Sequence, residues 1–268
     1  MTKSILVAIA VLSSVAAAEP ITIKGSTTAF SLVQRWADEF RKQKPDAQIT
    51  VTAGGSGYGI AALIANAADV AMSSREIKDS EQDKLRSRFN SPAIELPVTK
   101  DALAIYVNKA NPVVAISIEQ LKGIYSGKLS NWKQVGGIDA PIVAYAPASG
   151  NGTHGWFQEH VLEGGDYQNT RTIPGGFAMV TAVFKDPNGV GFGGSALAKG
   201  IKLLKIRVGT EEIECNAATM ASNKYPLGRE VFFYLKKKPA GDLGAFVDFV
   251  LSPAGQQIAV AAGFFPLK

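Results

Sequence analysis

An α/β fold with a mostly parallel sheet is predicted by three observations. Strand-like and helix-like runs alternate through the first ninety or so residues, glycine- or hydroxyl-rich turns stand at the strand-to-helix junctions, and roughly 250 residues follow an apolar leader. That length suits one large domain or two lobes of ordinary size.

The leader comes first. Lys3 precedes an uncharged apolar run over 5–15, and Ala16-Ala17-Ala18 stand before Glu19. This reads as a signal peptide over 1–18 with a small-residue cleavage site, too short to span a bilayer. Ala18 rather than cysteine ends the segment, so no lipid attachment is expected. The expected compartment is a Gram-negative periplasm. Of 28 basic side chains only Lys3 lies in the leader, so a modest, scattered positive excess over 23 acidic ones remains. Such a balance suits encounter with a small anion, and it offers no basic stripe for nucleic acid. The densest cluster, Lys236-Lys237-Lys238, reads as a solvated strand end. Cys215 is the sole cysteine and cannot form an internal disulfide.

Residues 21–24 form a short strand candidate ending at Gly25. A helical period follows from Thr28, with Phe30, Val33, Ala37 and Phe40 on one face, and Pro45 stops it. The alternating run 48–52 leads into Ala53-Gly54-Gly55-Ser56-Gly57-Tyr58-Gly59 and an apolar helix. Glycines without Cβ atoms let backbone N–H groups face one spot at a helix start, where unpaired donors and the positive end of the helix dipole invite an anion. A flexible turn would look the same in isolation. Residues 69–72 are strand-like and end in Ser73-Ser74-Arg75, with a helix expected over 80–89. The order βαβαβα calls for right-handed crossovers.

Two strand runs, 94–98 and 101–108, mark a first crossing between lobes. Ser117 and Gln120 form a capping box. A strand over 141–146 precedes the turn Ser149-Gly150-Asn151-Gly152-Thr153 and a helix to 162; further helix and strands are expected over 177–184, 189–192 and 201–208. The strand 230–235 returns to the first lobe, and helices over 243–251 and 253–261 close the chain, the second with Pro253 in its first turn and Gly263 beyond its end.

An oxyanion withdrawn from water must recover its hydration from fixed donors. The four loops supply them: hydroxyls of Thr27, Thr28, Ser56, Ser74 and Thr153, and the guanidinium of Arg75. Each Ser or Thr taken alone also suits a plain helix cap. Ligands of open α/β sheets bind at the carboxyl ends of strands, where all four loops lie. His154 and His160, the only histidines, lack metal-pair spacing, and no H-E-x-x-H or G-x-S-x-G motif occurs. No enzyme activity, cofactor or metal is therefore expected.

These loops, in this order, resemble the phosphate-binding proteins of bacterial phosphate ABC importers, the PstS-like group. The similarity extends to Asp69-Val70-Ala71-Met72, to Tyr125-Ser126-Gly127-Lys128 with Asn131-Trp132, and to Leu251-Ser252-Pro253-Ala254-Gly255. It implies the two-lobed type II periplasmic binding protein fold, with lobe I over 19–96 plus 229–268 and lobe II over 97–228. It also implies that inorganic phosphate is the ligand, that a membrane permease of an ABC transporter is the partner, and that the protein acts as a monomer. The alternatives are a sensor module for a membrane signalling partner and a binder of another tetrahedral oxyanion. By position, Thr27, Thr28, Ala29, Ser56, Gly57, Ser74, Arg75, Ser149, Asn151, Gly152 and Thr153 are the implied ligand-binding residues. Pro147 stands where relatives carry an arginine and Asn151 where they carry a serine, and a second register makes Ser149-Gly150 the contacting pair. Arg75 is then the expected cationic contact. Because these loops hold donors almost exclusively, weak rejection of sulfate is expected.

Overall fold

The computed structural model describes residues 19–267; the signal segment expected over 1–18 lies outside the described residues. In chain order the elements are β1 (Ile21–Gly25), α1 (Phe30–Gln43), β2 (Ile49–Ala53), α2 (Ser56–Ile64), β3 (Val70–Ser73), α3 (Asp79–Phe89) and β4 (Ile94–Val107). There follow β5 (Ala115–Ser117), α4 (Ile118–Tyr125), β6 (Val143–Pro147), α5 (Gly152–His160), β7 (Thr170–Ile173), α6 (Phe177–Lys185) and β8 (Gly189–Gly194). The chain closes with β9 (Lys202–Val208), β10 (Glu211–Ile213), α7 (Ala217–Ala221), β11 (Gly228–Leu235), α8 (Gly241–Leu251) and α9 (Pro253–Ala261). Among the described residues no single helix is long and apolar enough to cross a membrane.

The mixed sheet runs β2-β1-β3-β11-β4-β8-β6-β7. The strands at each end pair in parallel, β1 with β2 and β3, and β6 with β7 and β8. Between them β11 and β4 run antiparallel to each other and to their outer neighbours, which makes them the two crossing strands. The expected pair of strands over 94–98 and 101–108 is one continuous β4. Asp101 is buried and paired with Arg229 across the ladder, so the strand passes through the charged Lys100-Asp101 step without a break. Within this ladder the register shifts between Val231 and Phe232, a bulge in the middle of the crossing.

Apolar periodicity sets the packing. In α1, Leu32, Val33, Trp36, Ala37 and Phe40 recur at helical spacing and are buried against β1, β11 and α8; Phe40 meets Phe246 edge-on at 5.4 Å. This first core ends at Val98 on β4 and begins again at Val231 on β11. A second core takes over at Ala102 and ends at Leu227, built around Tyr125, Trp132, Phe157 and Phe192, with the last two rings stacked at 3.9 Å. Burying a large aromatic of this kind contributes about 2 to 3 kcal/mol. The two cores therefore change over within three residues of each crossing strand, 99–101 and 228–230.

The tail returns to the crossing. Phe265 exchanges both backbone hydrogen bonds with Lys100, at 2.8 and 2.9 Å, and the Thr99 hydroxyl donates to its carbonyl at 2.8 Å.

Candidate functional site

Three helix starts converge where the two cores face each other. β1 ends at Gly25, whose carbonyl accepts from the N–H groups of both Gly54 and Gly55 at 2.9 Å, tying the first loop to the second. Gly55 precedes α2 with φ of +97°, a left-handed conformation that glycine adopts without strain. A Cβ there would also lie 2.6 Å from the Gly150 carbonyl oxygen, so the two cores approach at a distance only glycine allows. Ser56 Oγ accepts from the Ser74 N–H at 3.1 Å, Ser26 Oγ donates to Ser74 Oγ at 3.1 Å, and the Ala29 N–H donates to Ser26 Oγ at 3.3 Å. Hydroxyls thus bind the β1–α1, β2–α2 and β3–α3 loops into one rigid floor.

Facing it is the start of α5. Gly152 packs so tightly that a Cβ would stand 2.1 Å from Ser56 Oγ and 2.8 Å from Ser74 Oγ. Thr153 Oγ1 lies 3.2 Å from Thr28 Oγ1 across the seam. Neither α1 nor α2 carries a side-chain cap, so the positive ends of both helix dipoles lie at this spot. Together these groups can bind a small oxyanion by charge-assisted hydrogen bonds.

Of the residues expected from the loops, Thr28, Ala29, Ser56, Ser74, Gly152 and Thr153 are buried and brought together. Three are engaged elsewhere. The Gly57 N–H donates to the Gly150 carbonyl at 3.2 Å. Asn151 uses its Oδ1 to cap α5 through the Thr153 N–H at 2.9 Å and its Nδ2 to reach Thr27 Oγ1 at 3.0 Å. Ser149 is exposed in the turn before α5, so the register that enters the seam is Asn151-Gly152-Thr153.

Arg75, the cation expected at the ligand, is placed differently. Its fork grips Glu81 on the first turn of α3, with Nη1 and Nη2 at 2.9 and 2.7 Å from the two carboxylate oxygens, and Nη1 also donates to the Glu76 carbonyl at 2.6 Å. Burial alone would raise the Glu81 pKa, but the Arg75 hydrogen bond and the Lys78 N–H hold it below the ordinary glutamate value. A glutamate six residues on had no visible link to Arg75 in the loop pattern; only the turn into α3 brings it near.

The cation at the seam is Arg229, which the loop reading missed. It lies on β11 opposite Asp101 on β4, both side chains 0% exposed, with Nε and Nη2 donating to Asp101 Oδ2 at 3.0 and 2.7 Å. Nη2 also donates to Thr153 Oγ1 at 3.0 Å, while Arg229 Nη1 and Asp101 Oδ1 have no partner. Asp101 and Thr28 meet over Gly194, where a Cβ would stand 3.0 Å from Asp101 Oδ1 and 2.7 Å from Thr28 Cγ2. Burial pushes the Asp101 carboxyl up, against the pull of Arg229. An available signal was the charged pair of steps, Lys100-Asp101 and Arg229-Glu230, inside otherwise apolar crossing strands.

The histidines lie apart from this group. His154 packs on Tyr167 with ring centres 4.3 Å apart, and burial, followed by the charge of Lys78, lowers its pKa. His160 stacks on Trp156 at 4.2 Å. Among the described residues no group of three His, Cys, Asp or Glu side chains is placed to hold a metal. Burial raises the Cys215 thiol to about 11, so it is protonated at neutral pH.

Residues 12–254 match the model of a PBP superfamily domain. The chain is similar to the phosphate-binding protein PstS of Pseudomonas aeruginosa, 31% identical over 91% of this chain and 81% of that one. It is also similar to PstS of Staphylococcus aureus, 32% identical over 90% and 76% respectively. Among solved structures, a phosphate ABC transporter substrate-binding protein from Clostridium perfringens, with phosphate bound, superposes with a TM-score of 0.84 at 27% identity, covering 93% of this chain and all of that one. An ABC-type phosphate transport receptor from Vibrio cholerae gives a TM-score of 0.75 at 28% identity, covering 91% and 99%.

Proposed function

From the premise that the chain belongs to the PBP superfamily and to its PstS-like group, we propose that it binds inorganic phosphate in the seam and delivers it outside the cytoplasm to an ABC importer. The observation that carries this reading is the uncapped starts of α1 and α2 facing Thr153 and Arg229 across a seam of buried hydroxyls.

Thr28, Ser56, Ser74 and Thr153 supply hydroxyls to the phosphate oxygens. The first amides of α1 and the Ser56 amide of α2 supply the helix donors, and Arg229 supplies the charge. Within each lobe these donors are fixed before the ligand arrives, which limits the ordering entropy lost on binding. The protein works by holding and releasing its ligand. The lobes are residues 19–96 with 229–268, and 97–228, hinged on β4 and β11. The leader over 1–18 directs export to the periplasm, and a single copy suffices for the site.

Asp101 changes the expectation about sulfate. It is the only fully buried carboxylate among the described residues, and its unpaired Oδ1 can accept a proton-bearing phosphate oxygen. Sulfate has no proton to donate and would leave two acceptors opposed, at a cost of about 1 to 3 kcal/mol. Calorimetry of ligand-stripped protein against phosphate, sulfate, molybdate and a phosphate ester tests both points. One phosphate should bind per chain, and an equimolar amount of sulfate should displace little of it at pH 6 or pH 8. Absence of phosphate binding overturns the function; ready displacement by sulfate overturns the role of Asp101.

A further inference from the structure

We propose that Asn151 is an interlobe latch, a positioning residue that holds the closed seam without touching the ligand. The inference rests on the phosphate-binding reading above. Both N–H donors of its amide, and its carbonyl oxygen, have partners in the protein. Oδ1 accepts from the Thr153 N–H at 2.9 Å, which fixes the start of α5, and Nδ2 donates to Thr27 Oγ1 at 3.0 Å and to the Pro174 carbonyl at 3.3 Å. The residue is 6% exposed. Thr27 belongs to the loop before α1, on the first core, whereas Asn151 and Pro174 belong to the second, so one side chain orients a site residue and clasps the opposite lobe.

The surroundings are shaped for this reach. Gly175 has a φ of +97°, and a Cβ there would stand 2.5 Å from Asn151 Nδ2, so any other residue would push the amide off its partner. Beside it the Gly57 N–H meets the Gly150 carbonyl at 3.2 Å, a second bond across the same seam. When the lobes part, both bonds must break. Loss of the Thr27 bond therefore speeds opening and leaves encounter with phosphate unchanged.

The test is a double-mutant cycle in the full-length mature protein. Asn151→Ser keeps a hydroxyl that can cap α5 but is too short to reach Thr27, and Thr27→Val keeps the shape of Thr27 while removing its hydroxyl. Phosphate association and dissociation rates are followed by rapid mixing, and the unfolding midpoint in urea without ligand is measured in parallel. Each single variant should raise the dissociation rate about three- to tenfold with the association rate unchanged within about twofold, and the double variant should be no faster than the faster single. The ligand-free midpoints should show no such coupling. Additive effects, an unchanged dissociation rate, or coupling confined to the unfolding midpoint overturn the latch while leaving phosphate binding standing. A wild-type protein that does not bind phosphate overturns the functional reading, and the latch falls with it.

Discussion

At the scale of single residues, the two buried arginines divide the roles that a loop-based reading assigns to one. Arg229 faces the hydroxyls of the seam, whereas Arg75 directs three of its five N–H donors to Glu81 and the Glu76 carbonyl. Arg229→Lys keeps the charge but loses the fork, and should weaken phosphate binding by about tenfold to a hundredfold; Arg75→Lys should change it less than about threefold. Calorimetric affinities of the two variants decide between the arginines. Glu81 makes a separate, pH-dependent prediction. Its pKa is lowered in the fold from an ordinary 4.5, so the stability it adds is present above that value and disappears as pH falls through the lower folded value. Urea unfolding of Glu81→Gln should show a loss of about 1 to 3 kcal/mol at pH 7 and converge with wild type in more acidic buffer. The hydroxyl residues were legible because each stands at a strand-to-helix junction, where position along the chain implies position in space. Arg229 and Asp101 were not, since 128 residues separate them and their adjacency exists only through the ladder of β4 and β11.

Among elements, those with a strong period or an explicit start signal were readable. The Ser117 capping box, the Pro253 start of α9 and the apolar face of α1 all stand in the structure as their residues imply. The short elements β5, β7, β10 and α7 carried no such signal. β7 is Thr-Arg-Thr-Ile and β10 is Glu-Glu-Ile, sequences that become strands because a neighbour offers an open edge. Local propensity has little to say about such pieces. The glycine loop before α2 yields a prediction at this scale. Gly55→Ala places a methyl 2.6 Å from the Gly150 oxygen and forces alanine into a left-handed backbone. Phosphate affinity should fall at least tenfold, while circular dichroism of the ligand-free protein should be unchanged. Full affinity in this variant would show that the Gly55–Gly150 approach is not needed for binding.

For the molecule as a whole, the crossing strands were visible as apolar runs, but the third segment at the crossing was not. Phe265 reads as part of an apolar tail, and only the fold shows that its backbone pairs with Lys100 at the place where the two cores change over. Three backbone segments, cross-linked by hydrogen bonds, make that waist a stiff leaf spring instead of a slack string, with Val98 the extra residue of its bulge, opposite the step from Val231 to Phe232. A spring of this kind sets how fast the halves recoil as well as how far they part. Removing residues 265–268 leaves every group of the seam in place and thins the spring by one leaf. Stopped-flow release of phosphate should then quicken with little change in the ligand-free fold, the result expected if the tempo of delivery to a transporter is tuned by a tail that never meets the cargo.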